Sequence, residues 1–333
     1  MLWRPGCCLA QLKPRDRRSI SMALLQKRPP LALCFAGSGC LAAYQLGVVR
    51  SLQRHGAPLL SRVTHVIGCS GGALVAAVLV RAPAWVDLAI EHSLHCQNLS
   101  GVKAALGAAA DDGCPKAQLS SPGETPTLVI AAATAATPRR LCMFSQWENS
   151  AELLSCLQAS CHIPSDFHPL DAVSPFASSY TSAVEFRGQQ LIDGGLAAAV
   201  PTLCAARLRE LEASSRFCDG GRNPSVPLEN VVVSPFAAPF SGMHIAPSGP
   251  TSWKQVTIAG QSFYVNAANA RRALVAVGGG TPDEMQMFVQ AGETDCESFL
   301  REAGQYETCN EGAAGAVAPL SPPPVLLRKP QSS

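Results

Sequence analysis

The chain has 333 residues, 47% hydrophobic and 15% charged, enough apolar material for one large core or a core with decorations. A formal net charge of +2 and an aromatic content of 6% exclude a strongly basic or base-stacking surface, and with it a nucleic-acid partner. Fourteen cysteines, none in a C-x-x-C spacing and most set singly in apolar stretches such as Cys34, Cys69, Cys142 and Cys204, read as reduced packing residues rather than disulfides or a zinc site.

In chain order, the first 29 residues carry Lys13, Arg15, Arg17 and Arg18 against one acid, Asp16. That reads either as an organellar targeting segment or as a solvated tail, and it lacks the apolar core of a secretory signal. Leu31–Ala36 is strand-like, then Gly37-Ser38-Gly39 leads into a helix-like run from Cys40 to His55. Glycines at a strand-to-helix junction leave backbone N–H groups free to point at an anion, so Gly37, Ser38, Gly39 and Cys40 are candidate oxyanion-hole positions. The same residues are a variant of a dinucleotide fingerprint, but that needs an acid about 20 residues later. None occurs between Ala36 and Trp85.

Val63–Ile67 is β-branched and strand-like, and Ala73–Leu79 favours a buried helix. Between them Gly68-Cys69-Ser70-Gly71-Gly72 fits a nucleophile elbow, a strained turn that lifts a serine hydroxyl off a strand end and needs glycines to relieve crowding. Cys69 there reads as packing. The apolar run Val63–Val80 is broken by His65 and the elbow, so no transmembrane segment is expected. Ala84–Cys96 has helical spacing, whereas Gly101–Pro126, rich in Ala, Gly, Ser and Pro, reads as a loop, either a lid or a surface insertion.

Gln189–Ile192 is strand-like and ends on Asp193-Gly194-Gly195. An isolated Asp-Gly reads as a hairpin turn. Beside an elbow serine, Asp193 is a candidate base. A carboxylate of ordinary pKa ~3.9 is a weak base, so the site must add partial desolvation and a strong oxyanion hole. His244, in Phe236–Pro250, which reads as a Pro/Gly-rich loop, follows Ser70 and Asp193 in the order of a conventional triad and is the competing third member. His65 and His162 read as packing or local hydrogen-bonding residues. Beyond Arg301 the chain drifts into Gly- and Pro-rich sequence expected to be disordered.

Phe35-Ala-Gly-Ser-Gly-Cys-Leu41 with Tyr44 and Gly47, Thr64–Leu74, Phe144-Ser145, the helix Ser150–Ala159, Ser160-Cys-His-Ile-Pro164, Leu191–Gly195, Asn230–Phe236 and the helical segment Val265–Leu274 resemble, in order and spacing, the patatin-like phospholipase domain family. Within it they are similar to the branch of adipose triglyceride lipase and adiponutrin. The resemblance covers about Pro30 to Arg301 and divides the chain into a basic tail (1–29), the patatin-like domain (30–301) and a C-terminal tail (302–333). It implies a three-layer α/β/α sandwich with a mainly parallel central sheet and a dyad of Ser70 and Asp193. The implied activity is calcium-independent, with no cofactor and no metal: intracellular hydrolysis of fatty acyl esters of triacylglycerol or other glycerolipids, or acyl transfer between them. The implied partner is glycerolipid at a lipid–water interface, a droplet or membrane surface reached peripherally from the cytoplasm, with a protein co-activator allowed for. Two departures stand out. Ala199 takes the place of the family's Asn while Pro201 is kept, and the segment between the elbow helix and Thr127 is short and alanine-rich. They leave open a catalytically weakened lipid-binding or regulatory protein on the same fold.

Overall fold

Leu31–Phe35 (β1) is apolar at every position because it is buried on both faces and paired on both edges, parallel to Val63–Cys69 (β2) on one side and Glu229–Val233 (β7) on the other. Thr127–Thr134 (β3) extends the parallel set beyond β2, and Met243–Ile245 (β8) extends it beyond β7. Leu141–Phe144 (β4) and Gln189–Ile192 (β6) pair antiparallel with β3, and Val184–Phe186 (β5) pairs antiparallel with β6. The computed structural model describes residues 29–111, 125–164, 183–214, 228–249 and 254–308.

One pairing detail decides where the chemistry sits. β2 pairs β3 only as far as Cys69↔Ala131, and β4 occupies the opposite edge, with Phe144↔Ile130 through Leu141↔Ala133. Ala133 pairs Ile192 as well as Leu141, so β6 takes the same edge as β2, just past its end. The two strands run toward each other along β3 and stop face to face. Ser70 follows one and Asp193 the other.

Helices Ala42–His55 (α1), Gly71–Arg81 (α2), Val86–Leu94 (α3), Asn98–Asp111 (α4), Ser150–Ser160 (α5) and, after the site, Pro282–Glu302 cover one face of the sheet around a single large core that includes Leu33, Phe35, Val66 and Ile130. Ala32, Cys34, Ile67, Val129 and Val232 point to the other face, where Leu203, just before Ala205–Ser214 (α6), and Leu211 within it meet them. The result is an α/β/α sandwich with a mainly parallel sheet and unequal outer layers. A separate ribbon, Gln255–Ile258 (β9) with Gln261–Tyr264 (β10), turns at Ala259-Gly260, both at positive φ. It leads into Ala267–Gly278 (α7), which Asn266 caps by accepting from Asn269 N–H at 2.8 Å; Pro282–Glu302 is then α8, capped by Thr281 with Pro282 in its first turn.

The structure differs from the sequence reading at four places. The stretch from Gly101, expected as loop, begins as helix, because α4 spans Asn98–Asp111 with Val102 and Ala105 buried against the core and alanine the best helix former. The remainder of that stretch, 112–124, lies outside the described residues. Phe236–Pro250 contains strand β8, whose Ile245 is buried. Asp193-Gly194 is no hairpin; that turn is Arg187-Gly188, between β5 and β6. The packed chain also runs past 301: Gln305 is buried and Tyr306 stacks on His55 at 4.8 Å. The N-terminal tail to residue 28 and the tail from 309 lie outside the described residues.

No single described helix is long and apolar enough to cross a membrane. Gly71–Arg81 and Pro83–Leu94 pass that test only jointly, across a 119° bend, and α2 is buried in the core.

Candidate active site

Ser70 sits at φ 54°, ψ −135°, a conformation that L side chains rarely adopt, between β2 and α2. The reversal brings α2 back onto the sheet so closely that a Cβ on Gly72 would overlap Ala36 O and one on Gly68 would overlap Gly72 O. The turn is held from outside as well. The Ser70 backbone N–H donates to Ser160 Oγ at 2.9 Å, and the Ser160 hydroxyl donates to Ala131 O at 2.8 Å. Cys69 is fully buried with its thiol pushed well above the usual range by burial and then by the nearby Asp193 charge, so it packs rather than reacts.

Asp193 caps a tight turn, Gly194–Leu196, its Oδ1 accepting from Gly195 N–H at 2.7 Å. Its backbone N–H donates to His162 O at 2.7 Å. A side chain on Gly194 would overlap Ala131 O, so only glycine lets the turn lie this close to β3. The carboxyl is 4% exposed, and burial raises its pKa from 3.8 to about 6 against the opposing pull of the Ser70 hydroxyl and Gly195 N–H. Oδ2 is buried without a hydrogen-bond partner, while the Ser70 hydroxyl lies near enough to the carboxyl to favour its charged form, short of a fully formed hydrogen bond. A loose contact of this kind is usual before substrate tightens a catalytic pair.

The glycine loop meets this pair at the ends of β1 and β2, where Phe35 pairs with Gly68. Of the four expected oxyanion positions, Gly37 is already committed: its N–H donates to Ala199 O at 3.0 Å. Among the described residues the N–H groups of Ser38, Gly39 and Cys40 have no acceptor, and they open the short helical turn Gly39–Leu41 that runs into α1. Gly71, the first residue of α2, abuts this loop, its α-carbon facing Gly39 closely enough that a Cβ would stand 3.1 Å from Gly39 N. Its N–H directly follows the nucleophile, the position from which a nucleophile elbow donates to an oxyanion. The loop itself is braced by Gln45, fully buried on α1, whose Nε2 donates to Ala36 O (2.9 Å) and Val233 O (3.2 Å) while its Oε1 accepts from Ser38 Oγ (3.0 Å). The Cys40 thiol points to Cys96 instead of to Ser70.

Above Ser70, Asp193 and Gly37–Gly39 opens a cavity of about 460 Å³. Its walls are apolar: Phe236 after β7, Phe263, Val256 and Ile258 of the ribbon, and Ala270, Ala273, Ala276 and Val277 along α7. Asn269, 6% exposed, ties helix to ribbon by donating to Ala237 O and Tyr264 O, both at 2.8 Å, and accepting from Ala237 N–H at 3.0 Å. Among the described residues no histidine lines the cavity. His244 is exposed on edge strand β8, with Nδ1 at 3.0 Å from Gly242 O and its ring against Phe240. His65 Nδ1 lies 2.9 Å from Thr64 Oγ1. Among the described residues no three His, Cys, Asp or Glu side chains gather as a metal site. Sequence reasoning read Gly71 only as an elbow glycine and assigned no role to Ser160, Gln45 or the ribbon; the run Ser160–Pro164 was the one signal available, present as part of a resemblance.

Residues 33–89 match the sequence profile described as Patatin-like phospholipase. The chain is 25% identical over 285 residues to human patatin-like phospholipase domain-containing protein 4, covering 83% of this chain and 98% of that protein. It is 24% identical over 282 residues to rat patatin-like phospholipase domain-containing protein 2, covering 82% of this chain and about half, 51%, of that longer protein. Among solved structures, the heterodimeric ExoU-SpcU complex of the Pseudomonas aeruginosa type III secretion system is similar at a TM-score of 0.37 and 12% identity, over 84% of this chain and 53% of that one.

Proposed function

The chain is a relative of the patatin-like phospholipase domain proteins, and from that premise we propose that it is a serine acylhydrolase of glycerolipid esters, triacylglycerol among them, working through Ser70 and Asp193. At the level of the family the activity is lipid acyl hydrolysis. The observation that carries the finer reading is the meeting of β2 and β6 on one edge of β3, which sets a strained serine against a buried carboxyl of raised pKa at the floor of an apolar cavity.

In the proposed cycle Ser70 Oγ attacks the ester carbonyl carbon as Asp193 takes its proton, and N–H groups of Ser38, Gly39 and Gly71 receive the oxyanion. Collapse breaks the bond to the alcohol oxygen, which leaves with the proton from Asp193. Water, deprotonated in turn by Asp193, then attacks the acyl-enzyme and releases the fatty acid, and the proton returns to Ser70. A second glyceride takes the acyl group when it arrives before water, a branch that the apolar walls favour by holding little water. At Ala199, where the family's Asn is absent, the backbone still serves the site: its carbonyl holds Gly37 and its N–H donates to Ala259 O at 3.3 Å.

A long-chain fluorophosphonate tests the chemistry. Wild-type protein is expected to gain one adduct, mapped to the peptide holding Ser70, and Ser70→Ala none. An adduct on another residue, or none on folded wild-type protein, contradicts the reading.

A further inference from the structure

The two groups of the proposed dyad come from different strands, and nothing in the β2–β3 or β6–β3 ladders reaches both. β2 pairing ends at Cys69, which leaves the Ser70 N–H beyond the ladder, and β6 pairing ends at Ile192, which leaves the Asp193 N–H beyond it too. Both N–H groups find acceptors on the same short stretch of chain at the end of α5, Ser160 Oγ for Ser70 at 2.9 Å and His162 O for Asp193 at 2.7 Å. We propose that the Ser160–His162 turn is a positioning clamp that fixes Ser70 relative to Asp193, with the Ser160 hydroxyl as its adjustable element. The inference rests on the dyad reading and adds a residue to it.

Three features make the clamp stiff. Ser160 is fully buried, and its only proton is spent on Ala131 O at 2.8 Å, so a lone pair is left aimed at the Ser70 N–H. Ala131 belongs to the strand that β2 and β6 share, so Ser160 refers both catalytic groups to one frame. The helix that carries it is held by buried Leu153, Leu157 and Ala159 and capped by Asn149, which accepts from Glu152 N–H at 2.9 Å. Without the hydroxyl, the Ser70 N–H is buried and unpaired at the very residue whose backbone is strained, and the turn gains freedom to relax away from Asp193.

The test uses the full chain, a soluble short-chain ester and three variants, Ser160→Ala, Ser160→Thr and Ser160→Val, each checked for a folded-state melting transition. Thr and Val differ only in hydroxyl against methyl. In Ser160→Ala we expect kcat to fall about 10- to 100-fold with KM within about twofold, the effect of a small misplacement of reacting groups. The acid limb of the pH profile should also move up, because the Ser70 hydroxyl no longer helps hold the Asp193 charge. The other titratable groups at Asp193, the thiols of Cys69 and Cys161, are pushed well up and stay neutral across that range. A merely structural role would lower stability without moving the limb. Ser160→Thr should recover most of the activity and Ser160→Val should not. A folded Ser160→Ala with wild-type kcat and acid limb overturns the clamp, as does equal activity of the Thr and Val variants should the Ala variant fail to fold. Neither result touches the dyad reading, which fails separately if Ser70→Ala retains activity.

Discussion

Burial raises the Asp193 carboxyl from 3.8 to about 6, so between those pH values the unfolded chain ionises while the folded chain stays protonated. For a carboxyl the folded pKa lies above the unfolded one, so its ionisation opposes folding: the penalty is absent below about pH 4 and complete above about pH 6. Some 2 pH units correspond to about 3 kcal/mol at neutral pH. Asp193→Asn keeps the acceptor for Gly195 N–H and removes the charge, so we predict a protein more stable than wild type by about 3 kcal/mol at pH 7.5 and by about 1 kcal/mol near pH 4.5 in urea unfolding, yet about 10²- to 10⁴-fold less active. A variant less stable than wild type at pH 7.5 would refute the burial argument. At this scale much was legible. A serine between glycines at a strand-to-helix junction and an acid before two glycines are local patterns, and a weak carboxylate base plainly needs desolvation. The commitment of Gly37 N–H to Ala199 O was not legible, because it depends on a carbonyl 162 positions away being folded against the loop. Ser160 was hidden for the same reason: a buried serine at a helix end carries no local mark of its partner.

Among elements, the strands were readable from apolar runs and the order of motifs, and β1, β2 and the helices after them lie close to where the pattern put them. What the pattern could not give was edge sharing. A strand's sequence fixes which of its faces is buried but not which neighbour takes over when another strand ends. The alanine-rich α4 was missed because Gly and Ser around it suggested loop, while packing on α2 and α3 favoured helix. The ribbon and α7 were read separately, and only the fold makes them two walls of one cavity. That wall is specific: Ala270, Ala273 and Ala276 leave room alongside α7 that a larger side chain would fill. We predict that Ala273→Phe lowers kcat/KM for esters of long acyl chains at least tenfold relative to esters of four carbons, measured as a ratio within one preparation. An unchanged ratio would place the acyl chain elsewhere.

For the molecule as a whole, the exposed large hydrophobics are distributed unevenly. Of the six among the described residues, Val256, Ile258, Val265, Leu274 and Val277 fall on the ribbon, α7 and the link between them, and four of these also line the cavity. Exposed apolar side chains thus stand on the same elements as the cavity lining, an arrangement that would suit uptake of substrate from a lipid surface. Net charge of +2 gives no strong attraction to anionic lipid, so apolar contact is the expected driving force. The central claim is that Ser70 cleaves glycerolipid esters presented at such a surface. Its most direct test is fatty-acid release from triacylglycerol and phosphatidylcholine emulsions without calcium, by wild-type protein and Ser70→Ala, across the concentration at which the ester separates as its own phase. The account predicts release by wild type that rises sharply once the phase forms and is abolished in Ser70→Ala. Release that is equal in the two proteins, or no release by folded wild-type protein that does react with the fluorophosphonate, would contradict it.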